Sequence, residues 1–399
     1  MNSTSAPAPA PAPGRAPEAR PGPARESRPF SARPRRFERG GRGSSRPGGR
    51  GAPRAGGPRP GSATRRIQRI LRRPGIGGPR KERTADYYPE KPAENVVRIV
   101  PLGGVEEVGR NMIAVDTNGD IIVMDVGFHF KNEDDAPGVD YTLPNTKFLE
   151  KNIGRVKGVI ITHGHLDHIG GIPFLLPRFG NPPLYTRRAT SIMIQRRQEE
   201  YPDVPKPQIT EIEVDSEITI GNTKVRFFPV THSIPDSMGV SIRTPHGNVV
   251  ITGDLKLEHV DGVPVEREQK TWGAVGKENN IFFIADSTNA ERDGFSIPES
   301  RVLVTLEEII KTVQNRLIIG TFASQFERMI NIIQFAEKYG KKIVTEGRSI
   351  KNNIEIAEKA GLLTVNKGTI IPAQDMKDYP QNKIVVLAPG AQGEEFAAL

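Results

Sequence analysis

The run Gly158-Val-Ile-Ile-Thr-His-Gly-His-Leu-Asp-His-Ile-Gly-Gly171 constrains this chain more than any other stretch. Val159, Ile160 and Ile161 make a short apolar block, the pattern of a buried strand. Polar residues follow at once, so the histidines and the aspartate stand where that strand leaves the interior for a loop. His163 and His165, one residue apart in extended backbone, project to the same side and can share one ion. Asp167 and His168, at the turn into a helix, can face a second ion a few ångströms away. Neutral imidazoles and carboxylates are donors that zinc or manganese accept. A surface accident, or a set of hydrogen-bonded structural histidines, is the competing reading. Three His and one Asp within six positions, between a buried strand and a Gly-Gly helix entry, argue against it.

Two later residues also stand at strand ends where this cluster could meet them. His232 follows the apolar run at Phe227-Phe228, and Asp254 follows Val249 to Thr252. His129, His246 and His259 match no ligand position and read as structural.

Charge divides the 399-residue chain. Residues 1 to 84 hold 21 Lys+Arg against 4 Glu and no Asp, a net of +17, while the remaining 35 basic and 43 acidic residues give −8. With 15 Pro, 14 Gly and hardly any large apolar residues, this stretch cannot bury enough surface to offset its ordering entropy and is expected to be a disordered tail. Its arginines suit phosphate backbones without sequence preference; a solubilising linker is the alternative. Thr64 to Arg73 places Ile67, Ile70 and Leu71 at helical spacing on a basic segment that could fold on RNA or on a partner. An organelle transit peptide is disfavoured by the Pro and Gly density. Absent cysteines exclude disulfides and thiolate ligands, so any zinc must rest on His, Asp or Glu. No apolar run is long enough for a membrane span.

Order is expected from Asn95. Strands are predicted at 96–102, 111–117, 121–126, 159–162, 212–214, 218–220, 224–229, 240–243 and 249–252, with helices at 145–152, 169–178 and 189–201. Two sheets covered by outer helices follow from that order. From Ile281 strands (281–285, 316–320, 342–345, 384–388) alternate with helices (298–313, 324–339, 349–360). Such alternation predicts parallel βαβ units and a second domain. The expected division is 1–84, 95–290 and 291–399.

His163-Gly-His-Leu-Asp-His168 resembles the HxHxDH signature of the metallo-β-lactamase superfamily, mostly hydrolases with one or two metals. The fold implied is an α/β αββα sandwich, here followed by a βα-repeat domain. By this resemblance His163, His165 and His232 bind one metal, Asp167 and His168 a second, and Asp254 both. Asp125 orients the motif loop from behind without binding metal. Further segments are similar to the β-CASP nucleases and, among them, the ribonuclease J family: Leu102 to Met112, Gly138 to Pro144, Gly253-Asp-Leu-Lys256, Asp286-Ser-Thr-Asn289, Thr321-Phe-Ala-Ser324 and Gly347-Arg-Ser349. That resemblance implies two divalent ions, zinc first with manganese or magnesium as alternatives. Asp167, Asp254 and Asp286 take catalytic roles, with a capping or turn role as the plainer alternative for Asp286. Ser324, Arg348 and Ser349 contact RNA.

The activity implied is hydrolysis of single-stranded RNA, endonucleolytic and from a 5′-monophosphate end, in rRNA processing and mRNA decay in the cytoplasm. A homodimer or tetramer, and RNA-degradation or ribosome-associated partners, are implied for the full-length form; no membrane is. The family pattern also contains two later histidines and a C-terminal domain, so the chain is expected to be C-terminally incomplete. A small-molecule hydrolase of the same fold, such as a thioesterase or lactamase, and a non-catalytic RNA-binding fragment are the alternatives.

Overall fold

Alternate residues of the central strands feed two different apolar cores, and this period of two sets the layers. In the computed structural model, which describes residues 92–93, 95–131 and 136–389, the chain opens with β1 (Arg98–Gly103), β2 (Met112–Thr117) and β3 (Asp120–Met124). A ribbon of β4 (His129–Phe130) and β5 (Tyr141–Thr142) and the short helix α1 (Lys147–Glu150) lead to β6 (Val156–Ile160), α2 (Leu166–Ile169) and α3 (Ile172–Leu175). Then come β7 (Leu184–Thr186), α4 (Arg188–Gln198), β8 (Ile209–Glu211), β9 (Glu217–Ile220), β10 (Thr223–Pro229), β11 (Met238–Thr244) and β12 (Gly247–Ile251). After the β13 (His259–Val260) and β14 (Val263–Pro264) ribbon follow α5 (Glu266–Gly276) and β15 (Asn280–Ile284). The chain continues with α6 (Glu299–Thr312), β16 (Leu317–Gly320), α7 (Phe326–Lys338), β17 (Lys342–Thr345), α8 (Arg348–Lys359) and β18 (Ile384–Ala388). The Arg-rich tail, the Thr64–Arg73 segment and residues from 390 onward lie outside the described residues.

The first sheet has six strands in the order β1-β2-β3-β6-β7-β8, and the second has five in the order β15-β12-β11-β10-β9. Ile122, Met124 and Ile160 pack between the sheets against Val225, Phe227, Val240 and Ile251. Their neighbours Ile121, Val123, Val159 and Ile161 face the opposite side and bury Phe148, Ile172, Leu175 and Ile194 from the covering helices. On the outer face of the second sheet Phe228 and Val250 pack with Val275 and Trp272 of α5. The result is an α/β sandwich with the layers αββα. A third sheet, all parallel in the order β16-β18-β17, is covered by α6, α7 and α8. Ile234 of the sandwich is buried in that second core.

Several boundaries differ from the sequence-based expectation. β3 stops at Met124 because Asp125 takes a left-handed backbone (φ 58), which ends the pleat. The helix expected at 169–178 is three short pieces, α2, α3 and a 3₁₀ turn at Leu176–Phe179. Pro173 and Pro177 remove backbone donors there, and a Cβ at Gly170 would lie 2.2 Å from the Phe128 ring, so the turn is packed too tightly for one continuous cylinder. The strand expected at Ile212–Val214 is β8, three residues earlier, and β7 and α5 were not anticipated.

Candidate metal centre

Every ligand candidate emerges from the end of a sandwich strand. β6 delivers His163 and His165, the following turn α2 carries Asp167 and His168, β10 runs out to His232, and β12 to Asp254. Among the described residues two groups of donors converge: His163, His165, His232 and Asp254, and Asp167, His168 and Asp254. Asp254 belongs to both. Arrangement of the donors fits divalent ions. His165 Nδ1 is 3.0 Å from His163 Nε2 and 3.1 Å from His232 Nε2, while Asp254 Oδ2 lies 3.8 and 3.9 Å from those two Nε2 atoms. Four donors at about 2.0–2.2 Å from a tetrahedral zinc would be spaced by about 3.3 Å. On the other side His168 Nε2 is 3.2 Å from Asp254 Oδ1 and 3.5 Å from Asp167 Oδ2.

The outward nitrogens fix which ring atom each imidazole presents. His168 Nδ1 donates to Asp125 Oδ2 at 2.9 Å, leaving Nε2 for the cluster. Asp125 also accepts the Thr162 backbone N–H at 2.8 Å, and the Thr162 hydroxyl sits 3.0 Å from His163 Nδ1. His165 Nε2 donates to the Ser324 carbonyl at 3.2 Å and lies 3.1 Å from Ser233 Oγ, leaving Nδ1 for the cluster.

Electrostatics prepare the same donors. Burial, then repulsion from the neighbouring imidazoles, draws His163 well below the usual histidine range. Burial likewise lowers His165, and together with His165 it brings His232 down to about 4. All three rings are therefore neutral at neutral pH. Burial opposes ionisation of Asp254, but the hydrogen bond from His168 and the attraction of the surrounding imidazoles together outweigh it and place the carboxyl at about 2. Asp167 is lowered by the same balance. His168 is the exception: despite burial, the carboxylates of Asp125, Asp167 and Asp254 together raise it well above the usual value.

The turn carrying Asp167 and His168 is meshed to two other segments by main-chain hydrogen bonds, Asn111 N to Asp167 O, Val126 N to His168 O and Gly127 N to Asn111 O. A Cβ at Gly127 would fall 1.5 Å from Asp167 O, so only glycine allows this approach. The Asn111 side chain faces the second donor group, with Nδ2 3.1 Å from Asp167 Oδ2 and 3.0 Å from His168 Nε2.

A cleft of about 540 Å³ opens beside the donors. It is lined by His165, Asp167, His232 and Asp254 on one side and by Ser324, Gln325 and Arg328 on the other. Arg328 grips Glu299 with two bonds of 2.7 Å, and Lys256 bonds the same carboxylate at 2.8 Å. Asp286 is not among the converging donors. Its Oδ2 accepts the Leu255 N–H at 3.2 Å, and Oδ1 accepts the Thr288 N–H and hydroxyl, so it anchors the loop bearing Asp254. Arg348 and Ser349 are exposed at the start of α8 and do not line this cleft. His246 and His259 bond the carbonyls of Asn95 and Ser296 away from the cluster. Asn111, Lys256, Glu299 and Arg328 carried no individual signal in the sequence, although Asn111 and Lys256 fall within segments noted for their resemblance.

The metallo-β-lactamase superfamily model matches residues 105–277, which hold every donor named above, and the ribonuclease J β-CASP domain model matches residues 314–399. A crystal structure of a protein of unknown function from Enterococcus faecalis shares the fold, with a TM-score of 0.53 at 17% identity, over 74% of this chain and 78% of that one. Two facing sheets with His/Asp donors at their strand ends thus define a metallo-β-lactamase superfamily chain. Ribonuclease J of Thermus thermophilus is 38% identical over 76% of this chain and 54% of its own. Ribonuclease J of Mycoplasma genitalium is 35% identical over 79% and 54%, and ribonuclease J2 of Bacillus subtilis 35% over 78% and 55%. Within the superfamily, the chain thus carries a metallo-β-lactamase domain followed by a β-CASP domain of the ribonuclease J type. It spans about half the length of the curated relatives it matches. Among the described residues no helix is long and apolar enough to cross a membrane.

Proposed function

We propose that this chain carries the metal centre of a ribonuclease that hydrolyses RNA phosphodiester bonds by a two-ion mechanism, both endonucleolytically and from the 5′ end, in RNA processing and decay in the cytoplasm. The supporting observation is that Asp254 is shared by two donor groups at the floor of a cleft with polar walls. Divalent ions held by His163, His165, His232 and Asp254, and by Asp167, His168 and Asp254, would supply Lewis-acid neutralisation of a phosphate and a water acidic enough to act at neutral pH. The chain's own contribution is orientation. Asp125, Thr162 and the Ser324 carbonyl fix the rings, and Asp286 fixes the loop of Asp254. With the rest of the chain net acidic, the Arg-rich residues 1–84 are the natural long-range capture element for RNA. Arg348, Ser349 and Ser324 are proposed RNA contacts beyond the donors, and the domain division at 84 and near 290 goes with this reading. A homodimer or tetramer, with RNA-degradation or ribosome-associated partners, is proposed for the full-length form.

The test is metal content together with substrate choice. Two zinc or manganese ions per chain and cleavage of 5′-monophosphate single-stranded RNA are expected. Turnover of thioesters or lactams with RNA left intact would overturn the reading in favour of a small-molecule hydrolase. RNA binding without metal uptake would make the chain a non-catalytic binder.

A further inference from the structure

The two donor groups are not equally well supported. His163, His165 and His168 each have the ring nitrogen that faces away from the cluster tied by a neighbour. Asp167 sits on a helix of four residues, its side chain is 32% exposed, and its carboxylate shares His168 Nε2 with the like-charged Asp254. Apart from His168 Nε2 at 3.5 Å, the Asn111 amide is the side-chain donor that reaches its carboxylate among the described residues, at 3.1 Å. That same nitrogen lies 3.0 Å from His168 Nε2.

We infer that Asn111 is a positioning residue for the second donor group: its amide holds the Asp167 carboxylate facing His168 and Asp254 and so sets how tightly the second divalent ion is bound. Three features of the chain support this role. Asn111 is locked to the same turn through its main chain, since its N–H donates to Asp167 O and its carbonyl accepts from Gly127 N, so the amide cannot drift relative to its targets. Gly104, with φ 80, lets the β1–β2 loop fold over Asn111, and a Cβ there would meet Asn111 Oδ1 at 2.5 Å. The amide nitrogen is thus directed at the donors and its oxygen at the loop. Finally, an uncharged donor offsets repulsion between Asp167 and Asp254 without adding a cation that would compete with the ion. None of these contacts touches His163, His165 or His232, so the first donor group should be indifferent to Asn111.

The inference rests on the two-ion reading above, and one experiment separates the two. Metal-stripped protein is titrated with Mn²⁺ and free ion is followed by its electron paramagnetic resonance signal, for wild type, Asn111→Ala and the near-isosteric Asn111→Leu. In wild type two binding steps are expected, with dipolar broadening as the second ion enters. In both variants the weaker step should move by about 10- to 100-fold, the usual effect of losing a group that orients a ligand, and the tighter step should stay in place. A single step in wild type would overturn the two-ion reading and the role of Asn111 with it. Two wild-type steps with both unchanged in the variants, both shifted together, or the second one tightened would overturn the role of Asn111 alone. Main-chain bonds of residue 111 survive either substitution, and near-ultraviolet circular dichroism identifies any variant that has lost its packing; if Leu does not fit, Ala decides.

Discussion

The two donor groups that share Asp254 are built in opposite ways. Asp167 and His168 are consecutive residues of one short turn, whereas His163, His165 and His232 come from the ends of β6 and β10 and meet only once the two sheets face each other. The first arrangement is local and keeps its members together through a few backbone bonds. The second depends on the register of the whole sandwich, from Ile160 against Phe227 outward. Charge differs in parallel. Burial disfavours charge on the three assembled rings, while the carboxylates around the local His168 favour a proton that an incoming ion would have to displace. A local motif can therefore be carried intact by a loosened chain, but the three-imidazole group reports that the fold has closed.

Asp254→Ala tests the shared corner and carries the largest expected effect. Both donor groups lose a member, so bound metal should fall below one ion per chain and RNA turnover by about 10³-fold or more, some 4 kcal/mol of barrier. Circular dichroism should be unchanged, because the residue lies on a loop outside the cores. Retention of two ions would show that the groups are independent.

Asp125→Asn should act unequally. His168 loses a charged acceptor for its Nδ1–H, and second-ion affinity is expected to fall by about 10- to 100-fold, with a smaller change in the first. Equal losses in a two-step metal titration would erase the distinction between the groups. A milder effect is expected for Glu299→Gln, which leaves Lys256 and Arg328 facing a neutral amide across the cleft. Unfolding stability should drop by about 1–2 kcal/mol in a denaturant titration. Removing residues 2–84 should change the chemistry least: binding of single-stranded RNA weakens, and its log–log salt slope flattens by about 0.7 for each phosphate that the tail no longer neutralises. An unchanged slope would mean that the tail does not touch the backbone.

Legibility in the sequence follows the same division. The strand ending in His163 announces itself because apolar and metal-ligating residues adjoin within one short run, and turn-forming residues, Gly221-Asn222 and Pro245-His246-Gly247, stand between the strands expected on either side of them. His232 and Asp254 stood out only as polar residues ending apolar runs. α5 left no trace because, of its residues, only Glu268 and Val275 are buried, too few to print a helical stripe. Asn111 was illegible for a different reason. Its function lies in a contact 56 residues along the chain, and nothing at position 111 itself distinguishes it from a polar loop residue.

The approach of Gly127 to Asp167 has a practical side. Because the spacing between residues 110–111, 125–128 and 166–168 is set by main chain against main chain, it does not depend on which side chains project from those positions. The cradle is in that sense a chassis with interchangeable fittings. A protein engineer could exchange Asp167 or His168 for another donor and recruit harder or softer ions without re-registering the scaffold, whereas adding one methyl group at Gly127 would misalign both of these fittings at once.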